Sequence, residues 1–143
     1  MSEFVSHSVE ETEVFAESFA KSLSAGDVVA LFGGLGMGKT AFVRGLAKGL
    51  SVTSEVSSPT FALVHEYDAP VPVYHFDMYR INSLEDLFST GFFDYLDCGG
   101  IVVVEWSENI VDYLPKNTVS IKIEYGNTDS ERRIIVKDEN SCN

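Results

Sequence analysis

Apolar positions along this chain follow three patterns, and each marks a different element. Asp27-Val28-Val29-Ala30-Leu31-Phe32 and Ile101-Val102-Val103-Val104 are short, unbroken apolar runs, as expected of strands covered on both faces. Val119 to Tyr125 alternates, which predicts a half-buried strand; Gly126-Asn127 turns the chain and Arg133 to Val136 returns as the last strand. Phe61 to Tyr67 and Val71 to Phe76 read as two strands joined at Asp68-Ala69-Pro70, a hairpin, and Phe4 to His7 reads as a short edge strand. Helical spacing shows in Phe15, Phe19 and Leu23, behind a Ser8 cap with Glu10 and Glu11 in the first turn. It returns in Val43, Leu46, Ala47 and Leu50; Ser83-Leu84-Glu85-Asp86 opens another helix, and Ser107 to Leu114 a short one before Pro115. Gly91, Phe92-Phe93, Tyr95 and Gly99-Gly100 break up the stretch between those last two. The sum is a single α/β domain over 1–143: a mixed β-sheet flanked by helices, with fraying expected at 1–8 and 137–143.

Between the first apolar run and the helix after it lies Gly33-Gly34-Leu35-Gly36-Met37-Gly38-Lys39-Thr40, which satisfies G-x-x-x-x-G-K-[ST]. Glycines let successive N–H groups point into one concavity. Lys39 supplies a mobile charge for terminal phosphates and Thr40 a hydroxyl for a magnesium ion. A helix beginning at about Gly38 aims its positive end at the same anion. Strand, glycine loop and helix come in the order a P-loop NTPase-like domain requires.

The bulk composition narrows the partners. With 22 acidic against 10 basic side chains the net charge is −12, a surface that repels a phosphate backbone, so any RNA must be reached through a more basic partner. Cys98 and Cys142 form no C-x-x-C pattern and read as free thiols of a reducing cytoplasm. The first residues lack the signature of a signal peptide, and no apolar stretch approaches the ~20 residues that span a bilayer. A cytoplasmic chain without membrane contact is expected.

A P-loop enzyme needs a carboxylate at the end of a strand neighbouring the P-loop strand, to hold magnesium. Glu105 directly follows the second apolar run; Asp77 ends the hairpin's second strand. Spacing does not decide between them, and either is equally read as a solvated carboxylate. Trp106 reads as a core aromatic, and His7, with no other histidine or cysteine nearby, as a strand-edge residue. Ser51 to Ser57, running into Ser57-Ser58-Pro59-Thr60-Phe61, is either a switch loop sensing the terminal phosphate or a plain connection.

In this order the blocks closely resemble one family, the bacterial TsaE (YjeE) ATPases of threonylcarbamoyladenosine synthesis on tRNA. The likeness rests on the P-loop, Ser58-Pro59-Thr60-Phe61, His75-Phe76-Asp77-Met78-Tyr79-Arg80 and Val104-Glu105-Trp106, and spans nearly the whole chain. It implies that ATP and Mg2+ are the cofactors. Thr40, Asp77 and Glu105 would face the metal, Leu35 to Thr40 would cradle phosphates, and Thr60 would lie in a switch loop. Trp106 would lie beside the nucleotide, and Val9 and Arg132 would contact it. Lys39, Glu105, Asp77 and Thr60 are thereby the expected catalytic set. The chain departs from the family where Gly34 replaces a usual acidic residue and Met37 a usual alanine; neither removes a donor that phosphates need.

The resemblance also implies partners related to TsaD and TsaB, with tRNA engaged only through them. ATP hydrolysis would drive a cycle of that complex, slowly in isolation and faster with partners. Two rivals stand beside this reading. A small metabolite kinase ordinarily clamps phosphates with an arginine-rich lid, whereas this chain has only Arg44, Arg80, Arg132 and Arg133. A nucleotide-gated binding module with negligible turnover draws some support from Gly34.

Overall fold

The computed structural model describes residues 2–33, 38–53 and 64–138. In chain order the elements are β1 (Ser2–Ser6), α1 (Val9–Ala20), β2 (Val28–Phe32), α2 (Lys39–Gly49), β3 (Val64–Tyr67), β4 (Val73–Asp77), α3 (Leu84–Ser89), α4 (Phe92–Tyr95) and β5 (Ile101–Glu105). A 3-10 helix (Ser107–Tyr113), kinked at Ile110, then leads to β6 (Val119–Tyr125) and β7 (Arg132–Asp138). The seven strands form one sheet in the order β1-β7-β6-β2-β5-β4-β3. Its centre, β6-β2-β5-β4, is parallel; the β3-β4 hairpin and the β6-β7-β1 meander add antiparallel pairs at the two sides. This is the mixed α/β sheet predicted above.

The central strands are apolar throughout because both faces are covered. Along β5, Ile101 and Val103 enter the core beneath α1 and α2, while Val102 and Val104 face a second core with Leu87 of α3, Phe92 of α4 and Ile110. Val29 and Leu31 of β2 join the first core and Val28 the second. Successive strand residues point to opposite faces, so each unbroken run supplies two cores at once.

Two helices start alike. The Ser8 hydroxyl accepts from Glu11 N–H at 3.0 Å, while the Glu11 carboxylate accepts from His7 N–H at 2.9 Å. At α3, Ser83 accepts from Asp86 N–H at 3.0 Å and Asp86 from Asn82 N–H at 3.2 Å. Each serine-acid pair satisfies amides that the helix itself leaves open. α2 begins differently, with Gly38 at φ 93° as its cap, no capping side chain and no acidic residue in its first turn.

Three expectations change. On α1 the most deeply buried positions are Thr12, Ala16 and Ala20, whereas Phe15, Phe19 and Leu23 are partly buried at the margin. The cause is the close crossing of α2: a Cβ on Gly45 would lie 2.3 Å from the Glu13 carbonyl oxygen, and one on Gly49 2.5 Å from that of Glu17. Second, Gly91 does not break the chain; at φ 81° it caps α4, which buries Phe92. Third, β1 is hydrogen-bonded to β7 along Ser2–Ser6, and β7 runs through Lys137 to Asp138, so these parts of the expected frayed ends are strand. Phe61 to Leu63 of the predicted first hairpin strand and 139–143 of the tail lie outside the described residues. None of the described helices is long and apolar enough to cross a membrane.

Candidate functional site

Strand directions bring the predicted residues to one edge. β2, β5, β4 and β6 are parallel, and β1 runs the same way because two antiparallel pairings separate it from β6. The carboxyl ends of β1, β6, β2, β5 and β4 therefore share one edge of the sheet, where ligands of open α/β folds bind. That edge carries Gly33 after β2, Glu105 at the end of β5, Asp77 at the end of β4, and Lys39 and Thr40 in the first turn of α2. Glu105 and Asp77 are direct register partners.

Lys39 defines the centre. Its side chain is buried, its Nζ makes no hydrogen bond among the described residues, and the ammonium lies 4.1 Å from the Trp106 ring centroid, over the aromatic face. Burial pulls its pKa below the ordinary lysine value, with Glu105, Glu108 and Asp77 opposing that shift. Trp106 reaches this position through a backbone at φ 58°, ψ 42°, a left-handed conformation costing on the order of 1–3 kcal/mol for a side-chain-bearing residue. Neighbouring bonds hold the turn: Ser107 Oγ–H donates to the Val104 carbonyl at 3.0 Å and Met78 N–H to that of Glu105 at 3.0 Å. Tyr79 packs against the Trp106 ring, with centroids 4.9 Å apart.

The carboxylates are individually oriented. Glu105 is buried and its Oε2 accepts from His75 Nε2 at 2.7 Å. Asp77 Oδ1 accepts from Tyr79 N–H at 2.9 Å. Glu108 Oε2 accepts from Gly33 N–H at 3.0 Å, tying the 3-10 helix to the residue that follows β2.

These features fit an anionic ligand accompanied by a cation. The N-terminal amides of α2, which no side chain caps, and a buried ammonium that no described residue hydrogen-bonds suit a phosphate chain. Polyphosphate entering beside Glu105, Glu108 and Asp77 would need a further positive charge, and carboxylate with hydroxyl oxygen is the donor chemistry of magnesium. Residues able to hold the pair are Lys39 and Thr40 with Asp77 and Glu105.

A family model described as "Threonylcarbamoyl adenosine biosynthesis protein TsaE" matches residues 6–134. The chain belongs to the TsaE family. The tRNA threonylcarbamoyladenosine biosynthesis protein TsaE of Treponema pallidum (strain Nichols) is 41% identical over 119 residues, covering 83% of this chain and 88% of that protein. The Bacillus subtilis (strain 168) protein of the same description is 42% identical over 127 residues, covering 87% and 78%. A crystal structure of Bacillus subtilis YdiB superposes with a TM-score of 0.80 at 34% identity, covering 98% of this chain and 87% of that one. The resemblance read from the sequence motifs is thus established, and with it the TsaE-like fold.

Of the predicted site residues, Gly33, Gly38, Lys39, Thr40, Asp77, Glu105 and Trp106 cluster at the α2 N-terminus. Val9, at the start of α1, and Arg132, at the start of β7, occupy the same sheet edge on the other side of β2. Arg132 pairs in register with Ser6 and Tyr125, and its guanidinium stacks 4.5 Å from the Tyr125 ring centroid. Gly34, Leu35, Gly36, Met37 and Thr60 lie outside the described residues. Sequence reasoning assigned no role to Glu108, His75 or Tyr67, although the structure shows all three in the polar network. Spacing offered one signal: His75 stands two residues before Asp77 on one strand, hence on the same face.

Proposed function

We propose that this TsaE-family chain is a magnesium-dependent ATPase serving the bacterial machinery that adds threonylcarbamoyl to the tRNA adenosine beside the anticodon. The observation that carries the reading is the Lys39 ammonium, buried without a hydrogen bond to any described residue at the N-terminus of α2, which no side chain caps. In this reading Lys39 leaves the Trp106 face for the terminal phosphates of ATP, while the loop from Gly33 through Met37 to Gly38 contributes backbone amides. Thr40, Asp77 and Glu105 hold magnesium, which when bound offsets charge on the phosphates. Thr60 is the proposed sensor of the terminal phosphate, and Val9, Trp106 and Arg132 border the nucleotide. Asp77, oriented by Tyr79 N–H, and Glu105 are acceptors that set where a hydrolytic water is held.

Proteins related to TsaD and TsaB are the proposed partners, and tRNA is engaged through them in the cytoplasm. Hydrolysis is slow in the isolated chain and rises when the partners are added. Phosphate release measured with and without TsaD-like and TsaB-like proteins tests this. Equal rates in both conditions, or phosphate transfer to a metabolite, would contradict it.

A further inference from the structure

Three adjacent strands contribute one buried polar chain. Tyr67 ends β3, His75 is central in β4 and Glu105 ends β5. The Tyr67 hydroxyl lies 3.1 Å from His75 Nδ1, and His75 Nε2 lies 2.7 Å from Glu105 Oε2. His75 is 1% exposed and Glu105 6%. An ionised carboxylate only accepts, so the proton of the shorter contact belongs to Nε2. Asp77 pairs with Glu105 and His75 with Val103, which makes His75 and Glu105 diagonal neighbours on one face. Val73 and Val103, with the same side-chain direction, enter the core beneath α2, so the face is the one that carries Lys39.

We propose that His75 is the positioning residue for Glu105: its ring, held by Tyr67 at one nitrogen, pins one carboxylate oxygen with the other and so fixes the orientation in which Glu105 meets metal and water. A structural role explains the arrangement poorly, because buried polar pairs are commonly matched or exceeded in stability by apolar residues of similar size. Fixing a glutamate, with its several free torsions, is what the pairing accomplishes. The histidine acts as the partners of metal-bound ligands do, setting direction without touching the ion. This inference rests on the ATPase reading.

The test compares His75→Gln with His75→Asn in full-length protein with its partners. The glutamine amide reaches the place of Nε2 and can still donate to Glu105; the asparagine amide reaches only the place of Nδ1. His75→Asn is expected to lose roughly 10–100-fold in kcat and in magnesium affinity, with KM for ATP near wild type. His75→Gln should stay near wild type in both. The His75→Asn/Glu105→Gln double variant should be no slower than Glu105→Gln alone. In nucleotide-free protein, 15N-resolved NMR should show a slowly exchanging His75 Nε2–H. Equal behaviour of Gln and Asn, additive losses in the double variant, or a His75 ring protonated only at Nδ1 would overturn the proposal while leaving the ATPase reading intact. An inactive wild-type complex would remove both. Should His75→Asn fail to fold, Tyr67→Phe keeps the test open: a loss of kcat at unchanged KM is expected, and wild-type kcat would count against the proposal.

Discussion

A buried ammonium that no described residue hydrogen-bonds carries a desolvation cost, and Lys39 is held that way, with Glu105, Glu108 and Asp77 offsetting part of it. Lys39→Met keeps the length of the side chain and removes the charge. It is expected to raise stability by about 1 kcal/mol, or a melting temperature by roughly 3 °C, while abolishing ATP binding. The pH dependence has a definite sign. Burial lowers the folded-state pKa of Lys39 below 10.5, so between the folded value and 10.5 the unfolded chain binds more protons. Stability therefore rises with pH through that interval, and the gap between Lys39→Met and wild type should narrow there in denaturant titrations. Trp106 is the sole tryptophan and stands against this ammonium, so ATP should change its fluorescence in wild type and not in Lys39→Met. At this scale the motif made Lys39 legible, because its chemistry needs a fixed spacing. Glu108 was not legible and His75 only as a residue on the face of Asp77: their partners stand 75 and 30 residues away in sequence, which no local period encodes.

At the scale of elements, the α1–α2 crossing gives the sharpest expectation. Alanine is intrinsically better than glycine in a helix by about 1 kcal/mol. Gly45→Ala should nevertheless destabilise by a net of roughly 1–3 kcal/mol, because its Cβ would stand 2.3 Å from the Glu13 carbonyl oxygen and 2.7 Å from the Ala16 Cβ. Urea unfolding measures the difference, and a stabilised Gly45→Ala would mean the helices are farther apart than described. Ser8→Ala, which removes the hydroxyl oxygen that accepts from Glu11 N–H, should cost about 1 kcal/mol by the same assay. Strands β2 and β5 were readable because both faces are buried and the apolar run is unbroken. The stripe of α1 was misjudged because large side chains dominate a helical pattern on paper, whereas a tight crossing buries alanines and displaces Phe15 and Phe19 to its margin. Gly91 was misread for a related reason: a glycine that looks like a breaker can begin a helix when its φ is positive.

The whole molecule places its chemistry on one sheet edge and carries a net charge of −12. Such a chain alone should not retain tRNA at physiological ionic strength, while a complex with the proposed TsaD-like and TsaB-like partners should; filter binding separates the cases. The sheet order also explains why the site draws on segments far apart in sequence, since β2, β5 and β4 are spatial neighbours joined by long excursions. In the proposed function the α2 N-terminus and Lys39 grip the phosphate chain of a nucleotide. Titration calorimetry of ATP with magnesium into wild type and Lys39→Met tests it most directly. A saturable heat of one site in the wild type, absent from a folded Lys39→Met, is expected. No heat from well-folded wild type, or an unchanged isotherm in Lys39→Met, would contradict it.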